Sequence, residues 1–465
     1  MLSKQPWIKY APELRFELQQ CLDEGRDVEK YREECERIVS MDEGSFEKNM
    51  ADLGVAGREV NTVSELKEKL AIELGNKMKA EPVSPDYPYV EPSEKDAIFA
   101  ECASDGTPLK LGLTPEEIND RIAGAWIGRI SGCMLGKPVE GIHKDQLEKF
   151  LKKHSLFPLS AYLTLAEAQN NYEQGDLPWS PELRRGWADT VSDGAEPDDD
   201  TDYTILALKL VREYGRDFVP MDVLENWLGS IPFFAVCTAE RYAYKNACMG
   251  MLPPETATHL NPFREWVGAQ IRADFYGYIN PGDTRTAADM AFRDASISHT
   301  GNGIYGAMWV AAMHAAAFAL TDIKEVVKAG LAEIPTKSRF HEDVSRIIEL
   351  YESGATYREA FDEICKKYPH SLWVHTNPNA MIVAAALLYG KGDFSKTVCI
   401  SVEGGYDTDC NGATAGSVIG AFVGKKNVPA VWTESYNGLV KNRVFGFNNP
   451  ASIDDLTEMT VKLLK

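Results

Sequence analysis

The sequence predicts an all-α protein, and three observations carry that expectation. Few segments alternate between apolar and polar residues over strand length. Apolar residues instead recur every three or four positions through most of the chain. Two stretches also place a glycine at every fourth position: Gly124, Gly128, Gly132 and Gly136, then Gly412, Gly416, Gly420 and Gly424. On a helix this spacing lines the glycines along one face. Glycine inside a helix costs about 0.5–1 kcal/mol relative to alanine, so each stripe implies that another backbone comes very close. The two stripes are expected to pack in one core.

In chain order, residues 1–110 read as an N-terminal helical accessory segment. Helical spacing runs over Glu13 to Asp23, Val28 to Ile38 and Ser64 to Lys79. A connector with Pro82, Pro85, Pro88 and Pro92, interleaved with Tyr87 and Tyr89, then marks a boundary. The segment is either a cap over the main domain or an oligomerisation arm, and the oligomeric state is left open. The main domain, 111–465, opens at Thr114-Pro115-Glu116-Glu117, a capping box with proline at the first helical position. That helix runs to Gly136, Pro138 stops it, and Glu140 follows in the turn. Residues 152–195 read as a loop-rich excursion. An acidic run, Asp198-Asp199-Asp200-Thr201-Asp202, opens a helix to about Tyr214. Residues 221–250 read as helical and 253–262 as a loop. Further helices are expected over 287–294, 304–320, 322–332, 341–352, 356–367, 378–389 and 452–464.

Composition narrows the function. With 70 acidic against 49 basic residues the net charge is −21, which argues against a nucleic-acid polymer or an anionic membrane as partner. Nine cysteines without a C-x-x-C unit argue against a zinc site or disulfide framework and for reduced thiols in the cytoplasm. No signal peptide and no uncharged apolar run of membrane-spanning length is expected.

Candidate chemistry lies in the carboxylates. Asp407 and Asp409 stand just past Gly404 and Gly405. Locally they are either an acidic helix cap or part of a metal site. Asp198, Asp199, Asp200 and Asp202 repel one another unless a cation or a helix end offsets them. They form either an exposed acidic turn or a carboxylate wall for magnesium or manganese, with Asp407 and Asp409 completing a two-metal site. Glu140 is the candidate delivered by the first glycine-faced helix. His299, Gly301 and Gly303 open an alanine-rich helix whose N–H groups suit phosphate or hydroxyl groups. A capping histidine is the alternative there, and His375 repeats the pattern. No Ser-His-Asp signature, P-loop or dinucleotide fingerprint is present.

Together these residues resemble the ADP-ribosylglycohydrolase family, whose type member reactivates dinitrogenase reductase. The resemblance spans about 113–430, and its motifs keep the family's order. They are Arg121 to Gly128 with Gly136-Lys137-Pro138-Val139-Glu140, then Asp198 to Thr204, Ser298-His299, and Gly405 to Gly412. It implies a compact orthogonal multi-helix domain with two magnesium ions, manganese being an alternative, that cleaves a ribosyl N- or O-glycosidic bond. It implies Asp199, Asp200, Asp407 and Asp409 as metal ligands, with Asp198 standing where the family has threonine. Glu140, Asp199 and Asp407 are the implied catalytic set. Cys410 replaces a threonine that helps bind the second ion, and a thiol is a poor magnesium ligand. Residues 264–274 resemble the family's glycine-rich loop, but Glu265, Trp266 and Val267 stand where glycines cradle a diphosphate. Arg272 matches the family arginine, and Trp266 is either a base-stacking or a packing residue. The expected substrate-binding set is His299, Arg272, Gly301 and Trp266. The expected function is a magnesium-dependent glycosidase acting on a small-molecule or protein-linked ADP-ribosyl compound. A hydrolase of smaller ribosyl N-glycosides, a non-catalytic ADP-ribose-binding module and a helical scaffold are the alternatives.

Overall fold

The computed structural model describes residues 9–41, 65–170, 172–173 and 175–464. Parts of the expected accessory segment, 1–8 and 42–64 with Ser64, lie outside the described residues.

Two helices organise the fold, Pro115–Gly136 and Thr408–Val423. The first begins as its sequence dictates: Thr114 Oγ1 accepts from the Glu117 N–H (3.3 Å), and the Glu117 carboxylate accepts from the Thr114 N–H (2.8 Å). The two pack antiparallel, with Gly124 against Gly420, Gly128 against Gly416, Gly132 against Gly412 and Gly136 against Thr408. A Cβ on Gly128 or Gly132 would stand 1.8 Å from a carbonyl oxygen of the facing helix, so the approach requires glycine on that face. Gly424 leaves the stripe and ends the second helix in the left-handed region at φ +80°.

Helices Gly301–Ala317, Thr376–Gly390 and Phe394–Glu403 pack against Thr408–Val423, all largely buried. Phe394–Glu403 is absent from the expected elements. Its Thr397, Val398, Ile400 and Val402 are β-branched and favour strands, and packing against its neighbour overrides that preference. Residues 221–250 divide into Pro220–Ser230 and Thr238–Cys248. Among the described residues the strands are Leu439–Val440 and Ala451–Ser452, one short antiparallel pair. The fold is therefore all-α. No described helix is long and apolar enough to cross a membrane.

The N-terminal helices Leu14–Asp23, Arg32–Val39 and Glu65–Ala80 share a second hydrophobic core with Tyr242, Leu260, Phe263 and Trp266. Buried ion pairs fix this seam. Arg264 reaches Glu17 at 2.7 Å and Glu24 at 2.6 Å, while Gln20 donates to Glu265 at 2.9 Å.

Candidate metal centre

The antiparallel register sets the last turn of one glycine helix against the first turn of the other, and the carboxylates gather at that junction. Beyond Gly136 the chain makes one tight turn over Lys137–Val139 and delivers Glu140. On the other side Gly405 (φ +69°) and Tyr406 (φ +59°) swing the chain through left-handed conformations before Asp407. Two bonds lock the ends together: the Gly141 N–H donates to the Tyr406 carbonyl (3.0 Å), and the Thr408 hydroxyl to the Gly136 carbonyl (2.8 Å). Asn379 accepts from the Asp407 N–H (3.3 Å) and the Asn411 side chain (2.8 Å), holding the start of the second helix.

Glu140, Asp407 and Asp409 each bring an oxygen within 4.8 Å of the others. Cys133, Asp198 and Asp200 form a second group within the same limit. The Asp407 side chain does not cap its helix, so a helix-cap role does not account for it. Asp198 does cap, accepting from the Asp200 N–H at 3.1 Å. Burial pushes the Asp407 carboxyl well above the ordinary carboxylate range, and Asp409, Asp200 and Glu140 add to it. Asp200 is also pushed well up, by burial and then by Asp409 and Asp199 against the pull of Arg129. Glu140 rises to about 7, through burial and then Asp409, with Arg184 and Lys137 opposing. Asp409 is 4% exposed and its Oδ1 has no hydrogen-bond partner among the described residues. Buried, mutually repelling oxygen donors with an orphaned oxygen among them fit a hard divalent cation.

Three basic side chains enter this centre, and sequence reasoning singled out none of them. Arg129 is fully buried and donates to the Asp200 carbonyl (2.7 Å) and carboxylate (3.0 Å), Asp274 (3.3 Å) and Thr414 (3.0 Å). Lys137 pairs with Asp198, and Arg184 with Glu140 at 3.1 Å. The available signal was a charge, Arg129, set inside a run of glycine, alanine and isoleucine.

The remaining expected residues are placed as follows. Asp199 is half-buried and lies outside both groups, and Asp202 turns away to accept from the Arg443 N–H at 2.9 Å. Cys410 is buried outside both groups, its thiol pushed far up by burial; the thiol that gathers with carboxylates is Cys133. Arg272 spends its donors within the protein, on Glu240 (2.6 Å), Gly268 (3.3 Å), Ser298 (2.8 Å) and the Asp294 side chain and carbonyl. Trp266 packs edge-on against Phe16 at 5.1 Å and tilts on Phe263 at 4.3 Å, which is the packing alternative. His299 is buried, bonded to Ser298 at 2.8 Å, and held well below the ordinary histidine range by burial and then Arg272. At the start of its helix the Gly301 N–H donates to Ser93 (3.0 Å) and the Asn302 N–H to the Glu265 carboxylate (3.0 Å). The protein's own anion therefore sits where a phosphate was expected.

The family profile described as ADP-ribosylglycohydrolase matches residues 114–463. Among solved structures, the chain is similar to one titled "ADP-ribosylglycohydrolase-related protein complex". Identity there is 17% with a TM-score of 0.45, over 75% of this chain and 98% of that one. No curated protein matches.

Proposed function

The chain belongs to the ADP-ribosylglycohydrolase family, a family of hydrolases, and on that premise we propose that it cleaves a ribosyl N- or O-glycosidic bond with the help of magnesium. The observation that carries this reading is the meeting of Glu140, Asp407 and Asp409 with Asp198 and Asp200 at the junction of the two glycine helices. Glu140, Asp407 and Asp409 would hold a divalent cation, with manganese an acceptable substitute. When bound, such an ion supplies a fixed positive charge for sugar hydroxyls and acidifies a water.

The chain's own groups supply the rest. Glu140 is the candidate acid or base at the edge of the centre: burial and Asp409 raise its carboxyl to about 7, and a cation bound beside it would draw it back down. Arg184 fixes one of its oxygens at 3.1 Å, which orients the carboxyl. Positive charge developing on a ribosyl ring in an oxocarbenium-like state would meet the surrounding carboxylates, among them half-buried Asp199.

A second reading concerns the substrate. Glu265 fills the helix start at Gly301–Ala317, and Arg264 and Trp266 are committed to the N-terminal segment. This favours a ribosyl N-glycoside without a diphosphate, such as a nucleoside, over the ADP-ribosyl compounds that the family name suggests. Purified protein should be incubated with magnesium and ADP-ribosyl-arginine protein, ADP-ribosyl-serine peptide, O-acetyl-ADP-ribose and a nucleoside panel, with released sugar as the readout. Release from one class assigns the substrate. No release, with ADP-ribose bound in calorimetry, assigns a binding module instead. Asp407→Asn should lose both turnover and cation binding, and a fully active variant overturns the site.

A further inference from the structure

The two carboxylate groups differ in the company they keep. Asp407 and Asp409 are in no ion pair among the described residues and Asp409 Oδ1 is buried without a hydrogen-bond partner, although Glu140 beside them is paired with Arg184 at 3.1 Å. Asp198 and Asp200, in contrast, are already met by cations of the chain. Arg129 donates to Asp200 at 3.0 Å from a fully buried position, and the Lys137 ammonium pairs with Asp198. The third member of that group is Cys133, a soft donor that serves a hard cation poorly.

Lys137 is held in place rather than loose on the surface. It begins the turn Lys137–Val139, its neighbour Pro138 fixes the backbone, and its carbonyl accepts from Arg184 at 3.1 Å. Its stem runs under the backbone of Gly186, where an added Cβ would stand 3.2 Å from Lys137 Cβ. Gly186 sits at φ +84°, a conformation that glycine adopts freely. Only the end of the side chain is left to reach the carboxylates, and an ammonium satisfies oxygen donors as a compact point charge.

We propose that Lys137 is a resident cation that takes the place of one of two divalent ions, so that this centre loads a single ion between Glu140, Asp407 and Asp409. The proposal rests on the metal-centre reading above. It makes Lys137 a positioning residue for Asp198, and it makes the centre mononuclear by construction.

The count of bound ions decides it. The full chain is stripped with chelator and titrated with manganese by calorimetry. Native mass spectrometry then gives the stoichiometry, and electron paramagnetic resonance distinguishes an isolated ion from a coupled pair. One ion per wild-type chain with the spectrum of isolated manganese, and two coupled ions in Lys137→Met, are the expected results. Two ions in the wild type overturn the proposal, as does a single ion in a folded Lys137→Met protein. No ion in the wild type overturns the metal-centre reading itself, which keeps the two failures apart. If Lys137→Met does not fold, the wild-type count and spectrum alone decide.

Discussion

The Thr408 hydroxyl donates to the Gly136 carbonyl across 2.8 Å, joining the last residue of one glycine helix to the first residue of the other. Four residues beyond Gly136, after the turn Lys137–Val139, the chain reaches Glu140, and Asp407 and Asp409 flank Thr408 directly. Replacing the hydroxyl by a methyl tests whether this bond positions the centre. Thr408→Val should cost about 1 kcal/mol in denaturant unfolding and weaken manganese binding in calorimetry, while Thr408→Ser restores both. Unchanged cation affinity in Thr408→Val would show that the junction is held by packing alone.

Gly132→Ala places a methyl against the Gly412 carbonyl, at a position 1.8 Å from its oxygen. The helices must separate, and the cost should reach about 3 kcal/mol or more. A shift of the urea midpoint measures it. A small shift would mean that the pair can slide apart without loss elsewhere.

Arg129→Met leaves Asp200 and Asp274 buried without their cation. The expected loss is about 3–5 kcal/mol, because an uncompensated buried charge outweighs the gain in apolar packing. Arg129→Lys should recover little, since one ammonium cannot reach the partners of a planar fork. Thermal unfolding of both variants checks the pair.

His375 supplies the pH dependence. Burial, helped by Arg339 and opposed by Glu265, lowers its ring to about 4 from the ordinary 6.5. The unfolded chain therefore takes up the proton more readily than the folded one. Stability from this site is complete above pH 6.5 and is lost as the pH falls from 6.5 through 4, by on the order of 3 kcal/mol. His375→Asn keeps an acceptor for the Asn377 N–H, which now bonds His375 Nδ1 at 3.2 Å. The variant should show a flatter loss of stability in that window, and an identical slope would assign the effect to other groups.

Arg264 fastens the N-terminal helices through Glu17 and Glu24. Arg264→Gln should raise the rate of proteolytic cutting within Leu14–Asp23 and Arg32–Val39 roughly tenfold or more, since bonds to a charged group of this kind contribute about 1.5–3 kcal/mol. Mass spectrometry of timed digests reads it. Equal rates would show that the apolar contacts of Phe16, Phe263 and Trp266 suffice.

Some of this was legible in the sequence, for reasons that can be stated. Thr114 to Glu117 encode a helix start through local hydrogen bonds, and the glycine stripes encode a helix pair through a steric requirement. Asp407 and Asp409 were ambiguous on their own because an acidic residue at a helix start has a local explanation. The fold removes that local explanation for Asp407, whose side chain does not cap its helix. Lys137 and Arg184 were not legible, since nothing local distinguishes a surface cation from one folded onto a carboxylate. Glu265 was readable as a lost glycine, but its partners Gln20, Asn302 and Arg339 come from three distant parts of the chain.

A ladder of identical rungs fixes proximity without fixing phase. With glycines at every fourth position on both helices, a slip of one turn, about 6 Å along the axis, would again set glycine against glycine over most of the contact. Such a slip would carry Glu140 away from Asp407 by the same distance. The ends of the ladder remove the degeneracy: Thr408 stands where a further glycine would continue the stripe of the second helix, and at its far end Gly424 breaks that same helix beside Asp120. Thr408, one of the two residues that give the helices a single alignment, thus stands between Asp407 and Asp409, so an error in phase during folding is also an error in chemistry.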